Sequence, residues 1–291
     1  MKTRISLFLV FMIFFCFPAC CFAKEKIELM PLVQMQMDLG PRIPGSDAHA
    51  QFIAQAASIL EESGWSVKST PERYRGKTVQ NIVADRGTDT GSGKWIVIGA
   101  HFDSRIQADQ EKHQADRRLP VPAANDGASG AAVLLGLAKT LPKLENQRVT
   151  LAFFDAEDQG NLMGWPDWCL GSQLLAEQYG SLERKPDAVI VIDMIGDADL
   201  NIYRERNSDK QLTDELFTIA KKLGYSKKFI NQEKYAMTDD HVPFLNQGIP
   251  AADLIDFDYP WWHTLGDTAD KVSEESLQAV YKVLFAFLTG K

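Results

Sequence analysis

"KWIVIGAHFDS", residues 94–104, runs apolar from Trp95 to Ala100 and then turns abruptly polar at His101 and Asp103. Successive side chains of a strand point to opposite faces, so a run that is apolar at every position must be covered on both sides. Such a strand belongs inside a largely parallel sheet with helices on each face. Its last residues then fall at the carboxyl edge, where open α/β sheets place their ligands.

The same pattern repeats on either side of this strand. Further strands are expected at "TVQNIVAD" (78–85), "RVTLAFFDA" (148–156), "DAVIVIDMIG" (187–196) and "AADLIDF" (251–257), and helices over 47–63, 128–141, 170–179, 213–223 and 275–288. "NDGASG" (125–130) sets Asn and Asp before a Gly/Ala-rich helix start, as an N-cap would. There is no repeat, low-complexity tract or inter-domain linker. The reading is a single α/β domain over 24–291, with a mostly parallel central sheet flanked by helices on both faces.

Residues 1–23, "MKTRISLFLVFMIFFCFPACCFA", read as a signal peptide: Lys2 and Arg4 precede an apolar run, and small residues lead to Ala23. The run is too short to span a bilayer comfortably. Export to a secreted or periplasmic location is expected; a lipid anchor retained at Cys20 is the other reading, and the one case that would bring in a membrane. Removing the leader takes Cys16, Cys20 and Cys21 and leaves Cys169 alone, so no internal disulfide can form. The chain carries 31 basic and 39 acidic residues, a net charge of −8, and the leader holds two of the basic ones. That balance argues against nucleic acid as partner and suits a cationic one, such as a peptide amino terminus. Nothing in the sequence calls for more than a monomer.

Polar residues collect at the strand ends. His101 and Asp103 follow one strand and Asp126 lies in the next loop; Asp155, Glu157 and Asp158 end another, Asp193 a further one, and His263 follows the last. A single acid at a strand end is a cap or a salt bridge. Four strand ends and an intervening loop supplying His, Asp or Glu point to a metal site. Asp126, Asp158 and His263 are the nitrogen and oxygen ligands a hydrolytic zinc site uses, and Glu157 beside them suits general acid/base work.

"AHFDS", "NDGASGAAVLLGLA", "FFDAED", "IDMIG", "TDDHVPFL" and "WWHTLGD" occur in this order from about Gln80 onward, with a fainter "GPRIPGS" at 40–46. Together they resemble the zinc aminopeptidase family that also contains the animal-type glutaminyl cyclases. The resemblance implies a zinc-exopeptidase-like fold, zinc on Asp126, Asp158 and His263, and Glu157 as acid/base. In an aminopeptidase it implies two zincs, with His101 and Asp193 holding the second and Asp126 bridging. In a cyclase it implies one zinc, with Asp193 hydrogen-bonded to another acid, which matches Asp239. Two carboxylates in reach of each other cannot both ionise cheaply, so Asp193 and Asp239 would share a proton; the alternative is that Asp239 caps a helix starting near Val242. Asp240 and His241 are expected to orient this loop. Trp165 and Trp262 match the indoles that line the cyclase pocket. Trp168 and Trp261 are read as core packing, Cys169 as a buried hydrophobe, and His49 and His113 as surface residues.

One position departs from the family: Glu-Glu is usual where this chain has Glu157-Asp158, so one ligand is a methylene shorter. The expected function is conversion of N-terminal glutamine to pyroglutamate by a zinc glutaminyl-peptide cyclotransferase. The rivals are a secreted zinc aminopeptidase and an inactive protein that captures peptide ends. Peptide or protein amino termini are the substrate in both enzyme readings.

Overall fold

The computed structural model describes residues 27–87 and 93–290; the leader read at 1–23, with its Cys20, lies outside them. In chain order come α1 (Met30–Leu39), α2 (Asp47–Glu62), β1 (Ser66–Lys68), β2 (Glu72–Tyr74), β3 (Lys77–Val79), β4 (Ile82–Arg86) and β5 (Lys94–His101). Then follow α3 (Ala128–Thr140), β6 (Gln147–Phe154), α4 (Leu170–Gly180), β7 (Ala188–Asp193), β8 (Ile202–Arg204) and α5 (Lys210–Lys222). The last are β9 (Phe229–Glu233), α6 (His241–Asn246), β10 (Ala251–Ile255) and α7 (Glu274–Thr289).

The central sheet has the order β1-β4-β6-β5-β7-β10. β6, β5, β7 and β10 run parallel, with Ile98 opposite Leu151 and Ile190, and Ile255 opposite Asp193. β4 is antiparallel to β6, and β1 to β4. β5 is buried on both faces, as its sequence requires. Ile96, Ile98 and Ala100 join the core built with α1, α2, α3, α5 and α7, including Phe52, Leu134, Leu216 and Leu284. Trp95 and Val97 point the other way, to Leu175 and Tyr179 of α4 and Phe244 of α6. Each such side chain contributes about 1.5–3 kcal/mol by leaving water. Among the described residues no helix is long and apolar enough to cross a membrane.

The stretch expected as one strand over 78–85 is two. Gln80 N donates to Asp155 Oδ2 at 2.7 Å, while Asn81 donates to Gly171 O and accepts from Asp155 N. These bonds take the backbone out of the β2–β3 ribbon and start β4 afresh. Asn125 and Asp126 do not cap α3 either. The N-cap is Gly127 at φ 102°, with no side-chain cap bond, and Asn125 Oδ1 instead accepts from Gly196 N. A Cβ at Gly127 would lie 2.9 Å from Asp103 O and 3.1 Å from the His101 ring, so glycine is needed there. α1 has no sequence cap. Its first N–H groups are taken by the carboxylate of Glu274, at the start of α7.

Close contact between α3 and the sheet gives the first prediction. A Cβ on Gly130 would meet Ile192 O at 2.7 Å and Ala100 Cβ at 2.8 Å, neither able to move without shifting a strand. Gly130→Ala should therefore destabilise the fold by about 1–3 kcal/mol. The measurement is the urea midpoint, and an unchanged midpoint would mean α3 is not seated as described.

Candidate active site

The carboxyl ends of β5, β6, β7 and β10 converge, and the backbone there is pinned by acids rich in donors. Asp103, just past β5, accepts from Glu157 N at 3.0 Å, Asp158 N at 3.3 Å and Gln159 Nε2 at 2.9 Å. It thereby shapes the turn that presents Glu157 and Asp158. Asp267 does the same for the loop before α3, accepting from Asn125 N, Asp126 N and the Tyr259 hydroxyl. Ala123, Ala156, Cys169, Met194 and His263 all hold a positive φ next to these residues, a concentration of strained backbone that accompanies functional sites.

Asp126, Asp158 and His263 come together as expected, each offering one ligand atom within 4.8 Å of the others. His263 Nε2 lies 2.9 Å from Asp158 Oδ1 and 3.7 Å from Asp126 Oδ2. Ligand atoms around a tetrahedral zinc lie roughly 3.4 Å apart, so the spacing suits that ion. Asp126 Oδ2 and Asp158 Oδ2 are buried without a hydrogen-bond donor, as cation-binding oxygens would be. The shorter Asp158 still reaches His263. Its loop is held by Arg105, which donates to Asp158 O at 2.8 Å and Gly160 O at 3.2 Å.

Asp126 also faces a second set. His101 Nε2 lies 3.1 Å from Asp126 Oδ1 and 3.2 Å from Asp193 Oδ1, so the two oxygens of Asp126 look to different histidines. Accumulated acid is costly here. Burial, opposed by His263 and helped by Asp126, pushes Asp158 up to about 6. Burial, opposed by His101 and helped by Asp239 and Asp126, pushes Asp193 up to about 7. Burial also holds Glu157 well above the usual carboxylate range. Glu157 Oε1 accepts from Cys169 Sγ at 3.3 Å.

Asp239 lines the same cavity as Glu157 and Asp193 and bears on Asp193 through charge, while its Oδ2 has no hydrogen-bond partner. Asp253 is close by: Asp239, His241 and Asp253 each offer a ligand atom within 4.8 Å of the others. Nor does Asp239 cap α6: the N-cap is Asp240, with no side-chain cap bond, and the Asp239 carboxylate accepts from Asp240 N at 2.5 Å. Asp240 and His241 brace the loop, Asp240 accepting from Ser172 Oγ and His241 Nε2 lying 3.2 Å from Glu205 Oε2.

A cavity of ≈ 200 Å³ opens over Asp126, Glu157, Asp158, Asp193, Asp239 and His263, walled by Trp168, Trp262 and Phe257. Trp262 stacks on His263 with ring centres 3.8 Å apart. The second indole is Trp168, not Trp165. Trp168 lies parallel to the His263 ring at 6.0 Å and under the Arg105 guanidinium, whereas Trp165 packs beside Val79, Ala156 and Leu170 and under Lys77. "GWPDW" offers two indoles three residues apart, and only the turn of the chain chooses between them. Trp261, read as core, is 41 % exposed. His49, read as surface, is buried with Nε2 2.7 Å from Asp155. Asp155 thus turns away from the site. Cys169 is buried and His113 exposed, as expected.

Two supporting residues carried no local signal. Asp109 receives both arms of Arg105 at 2.9 Å and lies 3.1 Å from His263 Nδ1. Arg42, fully buried, donates to Phe102 O and Ala123 O, and burial lowers it to about 10 against the pull of Asp267, Asp103 and Asp126. Asp253 did have a signal, an acid inside the apolar run "AADLI".

Comparison with known proteins identifies the family and the fold. The family model for peptidase family M28 matches residues 81–288. The glutaminyl-peptide cyclotransferase of Boiga irregularis is 26 % identical over 85 % of this chain and 76 % of its own. The crystal structure of Porphyromonas gingivalis glutaminyl cyclase superposes with a TM-score of 0.83 at 29 % identity, covering 90 % of this chain and 97 % of that one. A leucine aminopeptidase precursor from Bacteroides thetaiotaomicron superposes at 0.82 with 28 % identity, covering 91 % and 96 %.

Two outcomes test the supporting residues. Asp109→Asn should weaken zinc binding about 10–100-fold, as loss of a carboxylate behind a metal-binding histidine does, read by chelator competition. Unchanged affinity would mean Asp109 does not orient His263. Glu205 is lowered to about 2: against its burial, it gains the His241 hydrogen bond and the backbone N–H groups of Asn207 and Met237. A depressed acid stabilises the fold fully above its ordinary pKa and loses that contribution as pH falls through the folded value. Glu205→Gln should therefore cost stability at about pH 7 and cost progressively less between about pH 4.5 and pH 2. A cost that does not change with pH would rule this out.

Proposed function

This chain belongs to peptidase family M28, and we propose that within it the chain is a glutaminyl-peptide cyclotransferase, converting N-terminal glutamine to pyroglutamate with release of ammonia. The observation that carries the reading is Asp239, a buried acid on the wall of the cavity that holds Glu157 and Asp193. A third carboxylate there adds nothing to a zinc-bound water and much to holding a substrate amine. Similarity to glutaminyl cyclases in both sequence and structure supports it.

In this proposal Asp126, Asp158 and His263 hold one zinc ion, whose Lewis acidity would polarise the side-chain amide carbonyl of the substrate glutamine. Glu157, kept out of water and raised, takes a proton from the attacking α-amine and returns it to the departing ammonia. Asp193 and Asp239 draw the amine to Glu157 by charge. Trp262 and Trp168 wall a space sized for a terminal residue and exclude water, which would otherwise compete with the amine. Export through residues 1–23 and action on peptides as a monomer belong to the same proposal.

One observation favours a second reading. His101, Asp126 and Asp193 form another compact ligand set, and the two oxygens of Asp126 are split between the sets. Two zincs there would make a leucine-type aminopeptidase, with Glu157 activating water.

Offering one preparation a peptide beginning with glutamine and one beginning with leucine separates the two. Ammonia release with a blocked product amine, and about one zinc per chain, is expected; free leucine with two zincs would replace the cyclase with the aminopeptidase. Glu157→Gln should lower kcat by about 10²–10⁴-fold while keeping zinc, because it removes an acid/base and no ligand. Retained turnover would take Glu157 out of the chemistry.

A further inference from the structure

The cavity over the ligand residues is ≈ 200 Å³, below the roughly 300–1,000 Å³ of most small-molecule sites, so it holds a terminal residue and little more. It does not stand alone. A second cavity of ≈ 360 Å³ adjoins it, and Trp168, Thr238 and Asp239 line both. Asp126, Glu157, Asp158, Asp193 and His263 take no part in the lining of this roomier space.

Its walls come from three elements. α4 supplies Gln173 and Glu177, α6 supplies Val242 and Asn246, and the turn between β2 and β3 supplies Arg75. That two-stranded ribbon stands outside the central sheet. Arg75 and Gly76 hold φ of 44° and 83°, as a two-residue hairpin turn requires. An isolated ribbon is marginal in water, so side chains have to tie it down. Arg75 Nη1 lies 3.1 Å from Asp167 Oδ2, the Tyr74 hydroxyl donates to Glu177 Oε1 at 2.5 Å, and Gln178 Nε2 donates to Glu72 Oε2 at 3.0 Å. The ribbon lies ahead of residues 81–288, which the family model matches. Charge in the cavity is one-sided: Asp167, Glu177 and Asp239 line it against the single guanidinium of Arg75, which Asp167 already takes.

We infer that this second cavity seats the peptide residues that follow the first. The substrate chain leaves the catalytic cavity between Trp168 and Thr238 and runs between α6 and the β2–β3 turn, where a basic side chain is preferred near Glu177. The carboxamides of Gln173 and Asn246 both donate and accept, which a peptide backbone leaving water requires. The inference deepens the reading of an enzyme of peptide amino termini and rests on it. Cyclase and aminopeptidase chemistry serve equally, since both act at the first residue.

The test uses glutamine-first and leucine-first substrates, each as a dipeptide amide and as pentapeptides carrying Lys or Glu at the second, third or fourth position. Pentapeptides should exceed the dipeptide amide in kcat/KM by about five- to fiftyfold, chiefly through KM. Lys should be favoured over Glu about three- to tenfold at one or more of these positions, and the ratio should shrink towards one in about 0.5 M salt. Glu177→Gln, which can still accept from Tyr74, should lower that ratio about threefold. Asn246→Trp, at an exposed position of α6, should lower pentapeptide kcat/KM about tenfold relative to that of the dipeptide amide. Pentapeptides no better than the dipeptide amide, or Lys and Glu equal at all three positions, would overturn the inference. So would variants that change short and long substrates alike. Turnover of neither series would sink the reading of the activity, and isothermal titration then decides on the cavity. The wild type should bind the favoured Lys pentapeptide about tenfold more tightly than Asn246→Trp does; equal or unmeasurable affinity refutes it.

Discussion

Negative charge withdrawn from water is the constraint around which this molecule is arranged. Asp103, Asp126, Glu157, Asp158, Asp239, Asp240, Asp253 and Asp267 are all buried near one edge of one sheet. The topology makes this unavoidable: four parallel strands end on the same side, and each delivers acids into the space between their loops. Every feature of the region is a way of making that charge tolerable. Backbone amides point into it, and histidines and two buried arginines flank it.

The acids divide by how many donors they receive. Asp103, Asp267 and Glu205 each accept three or more hydrogen bonds and serve as fixed anchors for the loops. Asp126, Asp158, Asp239 and Asp253 each keep at least one buried oxygen with no donor. An oxygen left bare at that cost has to be answered by something other than the backbone. Satisfied acids build the frame, and three of the unsatisfied ones, Asp126, Asp158 and Asp239, line the cavity.

The sheet was legible because β5 is apolar at successive positions, and a strand covered on both faces leaves little choice of architecture. The ligand sets were legible because strand ends converge whatever the details of the loops. What sequence could not supply was direction within a turn. Trp168 rather than Trp165 faces His263, and Asp155 turns from the site to His49. Each depends on the local course of the backbone, at positions such as Ala156 and Cys169 whose positive φ no local pattern announces. Long-range partners were equally hidden: the cap of α1 comes from Glu274, and the orientation of His263 from Asp109.

Arg42 lies ahead of the segment that the family model matches, yet its guanidinium sits sealed beneath the acids of that segment. A metal can be stripped by a chelator and a proton by base, but a covalently tethered cation remains. The frame therefore owns part of its neutrality before any ion arrives. A fragment trimmed to residues 81–288 would lose that tethered charge, and Asp103, Asp126 and Asp267 would be left to repel one another in the dark of the core.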